Sequence, residues 1–215
     1  VSDVFREVDE EVRRDQLTAF MRRYGVAFLA LAVLIVAGVG AWVWWRQHQT
    51  AQRAQHGVEL SKALSLAQAG DSKAAAAAAA ALAGSASDEG YGLLARFVEA
   101  AALAETGDRE GALKKLDALA ADRSVDQMFR DLAVLRGAYL RVDQEPAPAF
   151  AQRVAPLLAD GGTWRFSALE LSALSSIRAG DTTAARATLK KITDDAAAPS
   201  GLRARAAELL SSLGG

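Results

Sequence analysis

The chain has 215 residues, 51% of them hydrophobic, and its 25 basic and 26 acidic side chains leave a formal charge of -1. That length supplies one sizeable core, and the near-zero charge excludes both a disordered polyelectrolyte and a protein that captures nucleic acid by bulk charge. Cysteine is absent and proline occurs four times, which removes disulfides, thiolate metal sites and cysteine nucleophiles together and lets helix propagate far. Alanine is abundant while β-branched and aromatic residues are thin outside one segment, so the expected fold is all-α.

Residues 1–24 read as a partly helical tail. Ser2 or Asp3 can cap its start, and Phe5, Val8 and Val12 recur at helical spacing with acids and bases on the other faces. Two readings stay open for it: a solvated helix running on from the membrane segment, or a docking helix. From Gly25 to Trp45 the sequence GVAFLALAVLIVAGVGAWVWW carries no charged or amide side chain. As a helix at 1.5 Å per residue it covers roughly 30 Å, the thickness of a bilayer core. A buried core helix seldom runs so far without a polar face. A cleaved signal peptide has a shorter apolar stretch and a small-residue site where Trp44, Trp45 and Arg46 stand here. The segment is therefore expected to be an uncleaved transmembrane helix.

Its orientation follows from bases alone. Arg6, Arg13, Arg14, Arg22 and Arg23 precede it, against Arg46, Arg53 and Lys62 just after, which keeps the N-terminus cytoplasmic and puts the rest outside the cytoplasm. Arg22, Arg23 and Tyr24 are expected to mark one membrane interface and Trp42, Trp44, Trp45 and Arg46 the other, because an indole is stable half wet. Ala37, Gly38, Gly40 and Ala41 form a small-residue patch that a second helix can approach, without a full GxxxG. Residues 46–57 read as a polar connector.

The remainder, 58–215, repeats. Ala69-Gly70-Asp71, Thr106-Gly107-Asp108 and Ala179-Gly180-Asp181 stand 37 and then 73 residues apart. The second interval is about twice the first, so a degenerate unit belongs near Asp143 and Gln144, and four units result. Glycine takes the left-handed conformation that ends a helix and aspartate caps the next, so each signature is the turn of a helical hairpin. Small residues recur seven before the turn (Ala63, Ala100, Gly137, Ala173) and five after it (Ala75, Ala112, Ala149, Ala185). There they allow close helix approach, with Leu66, Leu103, Leu140, Leu82, Leu119 and Ile192 as larger core contacts. The eight alanines Ala74 to Ala81 fall where the second helix of the first unit belongs. The last segment places Leu202, Ala206, Leu209 and Leu213 on one stripe and is expected to cap the array.

No chemistry is legible. His48 and His56 both lie in the connector without an acidic cluster that would complete a metal site, and Asp88-Glu89 and Asp194-Asp195 are acidic pairs of the kind that usually stay solvated. Neither a phosphate-binding glycine loop nor a nucleophile motif accompanies them. No enzyme, cofactor, metal, small-molecule substrate or nucleic acid is expected.

The pattern of small residue, Gly-Asp turn and following alanine in units of roughly 34 to 37 residues resembles tetratricopeptide repeats. That resemblance implies a right-handed helical-hairpin solenoid of about four units with a C-terminal capping helix, and a concave surface lined by the first helix of each unit. By that geometry Phe97, Arg141, Glu170 and Arg178 face the groove. The opening SDVFREVDEEVRRDQ, the single span ending in Trp-Val-Trp-Trp-Arg and the repeat-like remainder are together similar to the family of the ancillary subunit of the SecYEG translocon, also called YfgM-like. What this implies is an inner-membrane protein with a periplasmic domain. Such a protein associates with the translocon and with a membrane-anchored periplasmic chaperone to help newly exported proteins. The residues alone reach a membrane-anchored binding scaffold, with a structural spacer or oligomerisation module of the envelope as the alternative.

Overall fold

In the computed structural model the backbone is described for residues 2–86 and 90–214, and side chains for the same residues except 2–21, 24, 25, 27, 28 and 32. The expectations for the side chains of Ser2, Asp3, Phe5, Val8, Val12 and Tyr24, and for the pair Asp88-Glu89, lie outside the described residues. The chain divides into two compact units, Val1–Gln55 and His56–Gly215.

The first helix, α1, runs from Ser2 to Gln68. Helix-forming side chains without a proline carry it through 46–57, so the expected connector is helical throughout and forms no separate element. In the first unit the described apolar side chains find no cover: Val26, Leu29, Ile35, Val36 and the three tryptophans Trp42, Trp44 and Trp45 are all exposed. The described part of this helix is long and apolar enough to cross a membrane.

The second unit begins within α1 and continues through α2 (Ser72–Ser85), α3 (Gly90–Glu105), α4 (Arg109–Ala121), α5 (Gln127–Arg141), α6 (Ala147–Val154), α7 (Arg165–Arg178), α8 (Thr182–Thr193) and α9 (Ser200–Ser212). From α2 onward each helix packs chiefly on its neighbours in the chain, and alternate helices touch at α5 with α7 and α7 with α9. The end of α1 joins α2 through Leu60 against Leu82 and through Leu66 and Ala67 against Ala75 and Ala76. Local pairing repeated along one axis is the logic of a solenoid: four hairpins closed by α9, which seats Leu202, Ala206, Leu209 and Leu213 against Ala173, Leu189 and Ile192.

Three turns are built as their sequences require. Gly70, Gly107 and Gly180 have φ of 82°, 86° and 79°, a region where a Cβ is strained. Asp71, Asp108 and Asp181 accept hydrogen bonds from the backbone N–H groups of Ala74, Gly111 and Ala184 at 3.1, 2.9 and 2.9 Å, satisfying donors that the helix start leaves orphaned. The third turn has neither device. Pro146 precedes α6 without a side-chain cap, and long side chains hold the turn instead. Arg153 grips Glu145 through both carboxylate oxygens, with a closest approach of 2.7 Å, and Arg178 donates to the carbonyls of Asp143 and Glu145.

The small-residue rule holds in three units and shifts in the third. Ala75, Ala112 and Ala185 are completely buried four residues after their capping aspartates, but Ala149 is exposed. Because the third helix start is set by Pro146 rather than by the Gln144 turn, the equivalent place belongs to Phe150, which fills it with a buried ring packed among Val154, Leu157 and Leu171. Pro156, with no N–H to donate, then ends the α-helix, and Ala155–Leu158 tightens into a 3-10 turn.

Candidate functional site

A groove of about 580 Å³ opens between α3 and α5, floored by Leu116 of α4. Its depth has a sequence cause. The face that α3 turns to it is interrupted by Ala100, Ala101 and Ala104, whereas α5 presents Phe129, Leu132, Tyr139 and Leu140 and α3 adds Leu94, Phe97 and Val98 at one end. Small side chains opposite large ones leave volume that no neighbour fills. The lining is apolar except for Glu105, Arg136 and the phenol of Tyr139. Leu94 and Tyr139 stand well exposed although both are large. Partial burial of its ring, and then the nearby charge of Glu170, raise the Tyr139 pKa, and the phenol keeps its proton and can donate a hydrogen bond.

Of the four residues expected in a groove, Phe97 lines this one and also packs on Ala100, Leu116 and Ala133. The other three are engaged elsewhere. Arg141 meets Asp117 of α4 at 2.5 Å and borders a shallower recess of about 340 Å³ with Ala120, Val134 and Arg153. Glu170 is buried and held in a two-pronged pair by Arg205 of α9, at 2.7 and 3.0 Å. Arg178 closes the third turn. The residues that sequence reasoning passed over lie mostly on α5. Phe129, Leu132, Arg136 and Tyr139 form one helical stripe, and Leu135, Ala138 and Val142 form a second that enters the core. Two stripes on one helix were the available signal.

Among the residues expected at a membrane interface, the Arg46 guanidinium sits 5.3 Å over the Trp42 ring and Trp44 stacks on His48 with centroids 5.8 Å apart. Arg22 and Arg23 are exposed, and His56 is half-buried. Of the remaining ion pairs, Lys115 of α4 meets Glu99 of α3 at 2.6 Å, and two others fasten loops. Arg96 meets Asp122 at 2.8 Å, and the Ser124 hydroxyl, then Arg96, hold the Asp122 carboxyl down to about 2. Arg165 reaches Asp195 at 3.1 Å, and Asp195 is lowered first by the backbone N–H of Ala197 and next by Arg165. No group of three or more histidines and carboxylates suited to a metal ion forms among the described residues.

A helical-hairpin solenoid with one large apolar groove belongs among protein-interaction modules. Residues 18–152 match the family described as a tetratricopeptide repeat-like domain, more than half of the chain, and the protein belongs to that family. The match runs from α1 to α6 and leaves the fourth hairpin and α9 beyond it. No curated protein and no solved structure matches the chain.

Proposed function

We propose that this protein is a single-pass inner-membrane scaffold, anchored by residues 25–45 with its N-terminus in the cytoplasm, which holds partner proteins outside the cytoplasm in the groove between α3 and α5. The observation that carries the reading is the groove itself, an unfilled apolar cleft on an all-helical repeat domain in a chain whose other unit exposes many large apolar side chains, from Val26 to Trp45. Uncovered apolar surface of either kind marks an interaction site. The resemblance of the tail, span and repeats to the ancillary translocon subunit family points to the partners: the SecYEG translocon and a membrane-anchored periplasmic chaperone, with newly exported proteins as clients.

The test is purification of the tagged full-length protein from native membranes in mild detergent, followed by mass spectrometry. Recovery of translocon subunits and periplasmic chaperones is the expected result. Recovery of the protein alone would sink the export role and favour a spacer or self-associating module of the envelope.

A further inference from the structure

We infer that the groove between α3 and α5 takes a short amphipathic helix from its partner, with an apolar stripe toward the groove and one acid and one base about two turns apart, and not an extended peptide. The inference rests on the reading of the protein as a binding scaffold and adds what kind of segment it binds.

The first argument is hydrogen bonding. An extended segment of six residues carries about a dozen backbone N–H and C=O groups, and each one buried without a partner costs about 1–3 kcal/mol. The groove walls are helices whose own backbone groups are spent within α3 and α5. Asparagine, whose amide can pair with a bound backbone from both sides, is absent from the whole chain. Of the lining side chains only Glu105, Arg136 and Tyr139 are polar, too few to serve an extended backbone. A helix satisfies its backbone internally and offers side chains alone, which is what an apolar wall accepts.

The second argument is size. The lining runs from Leu94 to Glu105 on α3 and from Phe129 to Leu140 on α5, in each case roughly 17 Å, or three helical turns. Three turns of a partner helix present about three apolar side chains on one face, at i, i+3 or i+4, and i+7.

Charge supplies the third. Glu105 and Arg136 line the groove, and neither has a salt bridge or hydrogen bond among the described residues, so both charges are open to a partner's. Gly70 and Gly107 set a repeat offset of 37 residues, which puts Arg136 level with Glu99, so it stands about 9 Å along the helix axis from Glu105. An acid and a base about seven residues apart on one face of a partner helix meet both. Rim charges add little affinity and chiefly set orientation, so they decide which way the helix lies.

The experiment uses the full chain in lipid nanodiscs and fluorescein-labelled 15-residue peptides. One is an alanine-rich helix with leucines at i, i+4 and i+7 and a flanking glutamate and lysine. The second has the same composition with one central alanine exchanged for proline, and the third exchanges the two charges. Anisotropy titration should give saturable binding of the first peptide and at least about tenfold weaker binding of the proline peptide. Ala101→Trp, which fills the groove from an exposed position and removes no contact, should weaken the first peptide at least about tenfold, with Ala104→Leu as a second filling variant if the tryptophan disturbs folding by circular dichroism. The double variant Glu105→Arg with Arg136→Glu should prefer the charge-exchanged peptide. A proline peptide that binds as tightly, or a helical peptide that fails to saturate, would overturn the helix inference. Co-purification separates that failure from failure of the scaffold reading. Native partners lost from Ala101→Trp while the proline peptide wins would leave the groove a protein-binding site for extended segments. Partners retained by both filling variants would remove the groove from the function altogether.

Discussion

The two halves of the repeat domain share a buried seam of alanines and differ in how many large side chains are buried with it. In the first two hairpins the wholly buried positions are mostly alanines, Ala63, Ala75, Ala79, Ala95, Ala100 and Ala112, with Leu82 and Leu119 as the larger members. In the last two, Ala133, Ala138, Ala168, Ala173 and Ala185 are buried as completely, but five larger side chains join them, Phe150, Val154, Leu171, Leu189 and Ile192. Alanine brings helix axes close and stabilises through backbone proximity and high helix propensity, whereas large side chains hold axes apart and stabilise by burying area and interdigitating. The groove lies at the border between the two regimes, where the alanines of α3 face the bulky stripe of α5. Binding volume here arises from a change in packing style along a solenoid, without any inserted loop.

The comparison makes its sharpest statement at Phe150. Removing that ring by Phe150→Ala should leave a cavity among Val154, Leu157 and Leu171 and cost about 3–5 kcal/mol, read by urea denaturation followed by circular dichroism. A loss below about 1 kcal/mol would mean that the third hairpin collapses around the gap, and the contrast between halves would fail. In the first half the opposite change is the informative one. Ala79→Leu puts three extra carbons where a side chain is completely buried and should cost about 1–3 kcal/mol by overpacking. The matched control, Ala149→Leu, lies on the exposed side of α6 and should fall within about 0.5 kcal/mol of the parent. Equal costs for the two would contradict the assignment of Phe150, in place of Ala149, to the small-residue position of the third unit.

That assignment marks the limit of what the sequence discloses. The three Gly-Asp turns were legible because each signature has one physical use, and Gly70, Gly107 and Gly180 all take the left-handed φ they imply. The degenerate turn follows from the doubled interval and from the helix break that the sequence Val142 to Pro146 resembles, but neither shows that Pro146 starts its helix later than a capping aspartate would, so the register beyond it slips by one residue. The candidate groove was less legible than the fold. Phe97 follows from the positional rule of tetratricopeptide geometry, and it lines the groove. Arg141, Glu170 and Arg178 were named by the same positional rule, but their partners Asp117, Arg205 and the carbonyls of Asp143 and Glu145 lie 24 to 35 residues away, and helix periodicity carries no information about such pairings. The α5 stripe was visible in principle, since Phe129, Leu132, Arg136 and Tyr139 share one face, but choosing which of two stripes stays uncovered requires the neighbouring helices.

Smaller effects test the turns that both halves share. Asp108→Ala removes the side chain that accepts from the Gly111 N–H and should cost about 1 kcal/mol, with Asp181→Ala in the other half costing the same. A marked inequality would mean that the two halves differ in their turns as well as in their cores.

The least effect is expected from acid. Asp122, in the turn after α4, has its carboxyl held near 2 by the Ser124 hydroxyl and Arg96, against an ordinary value of 3.8. Because the folded state holds the proton less tightly than the unfolded chain, this group stabilises the fold in full above its ordinary value, and the contribution is lost as the pH falls from about 4 toward 2. Glu145 in the third turn and Asp195 after α8 are lowered as well, by Arg153 and by the Ala197 N–H respectively, so all three weaken the protein in the same direction on acidification. Single alanine variants separate them. Asp122→Ala should flatten the acid limb of the stability profile and speed amide exchange at Ser124 selectively, because that backbone N–H donates to the carboxylate at 3.1 Å, while the third turn keeps its protection. If exchange rises equally at both turns, the hairpins open as one unit under acid, and the difference in packing between the halves does not extend to their local stability.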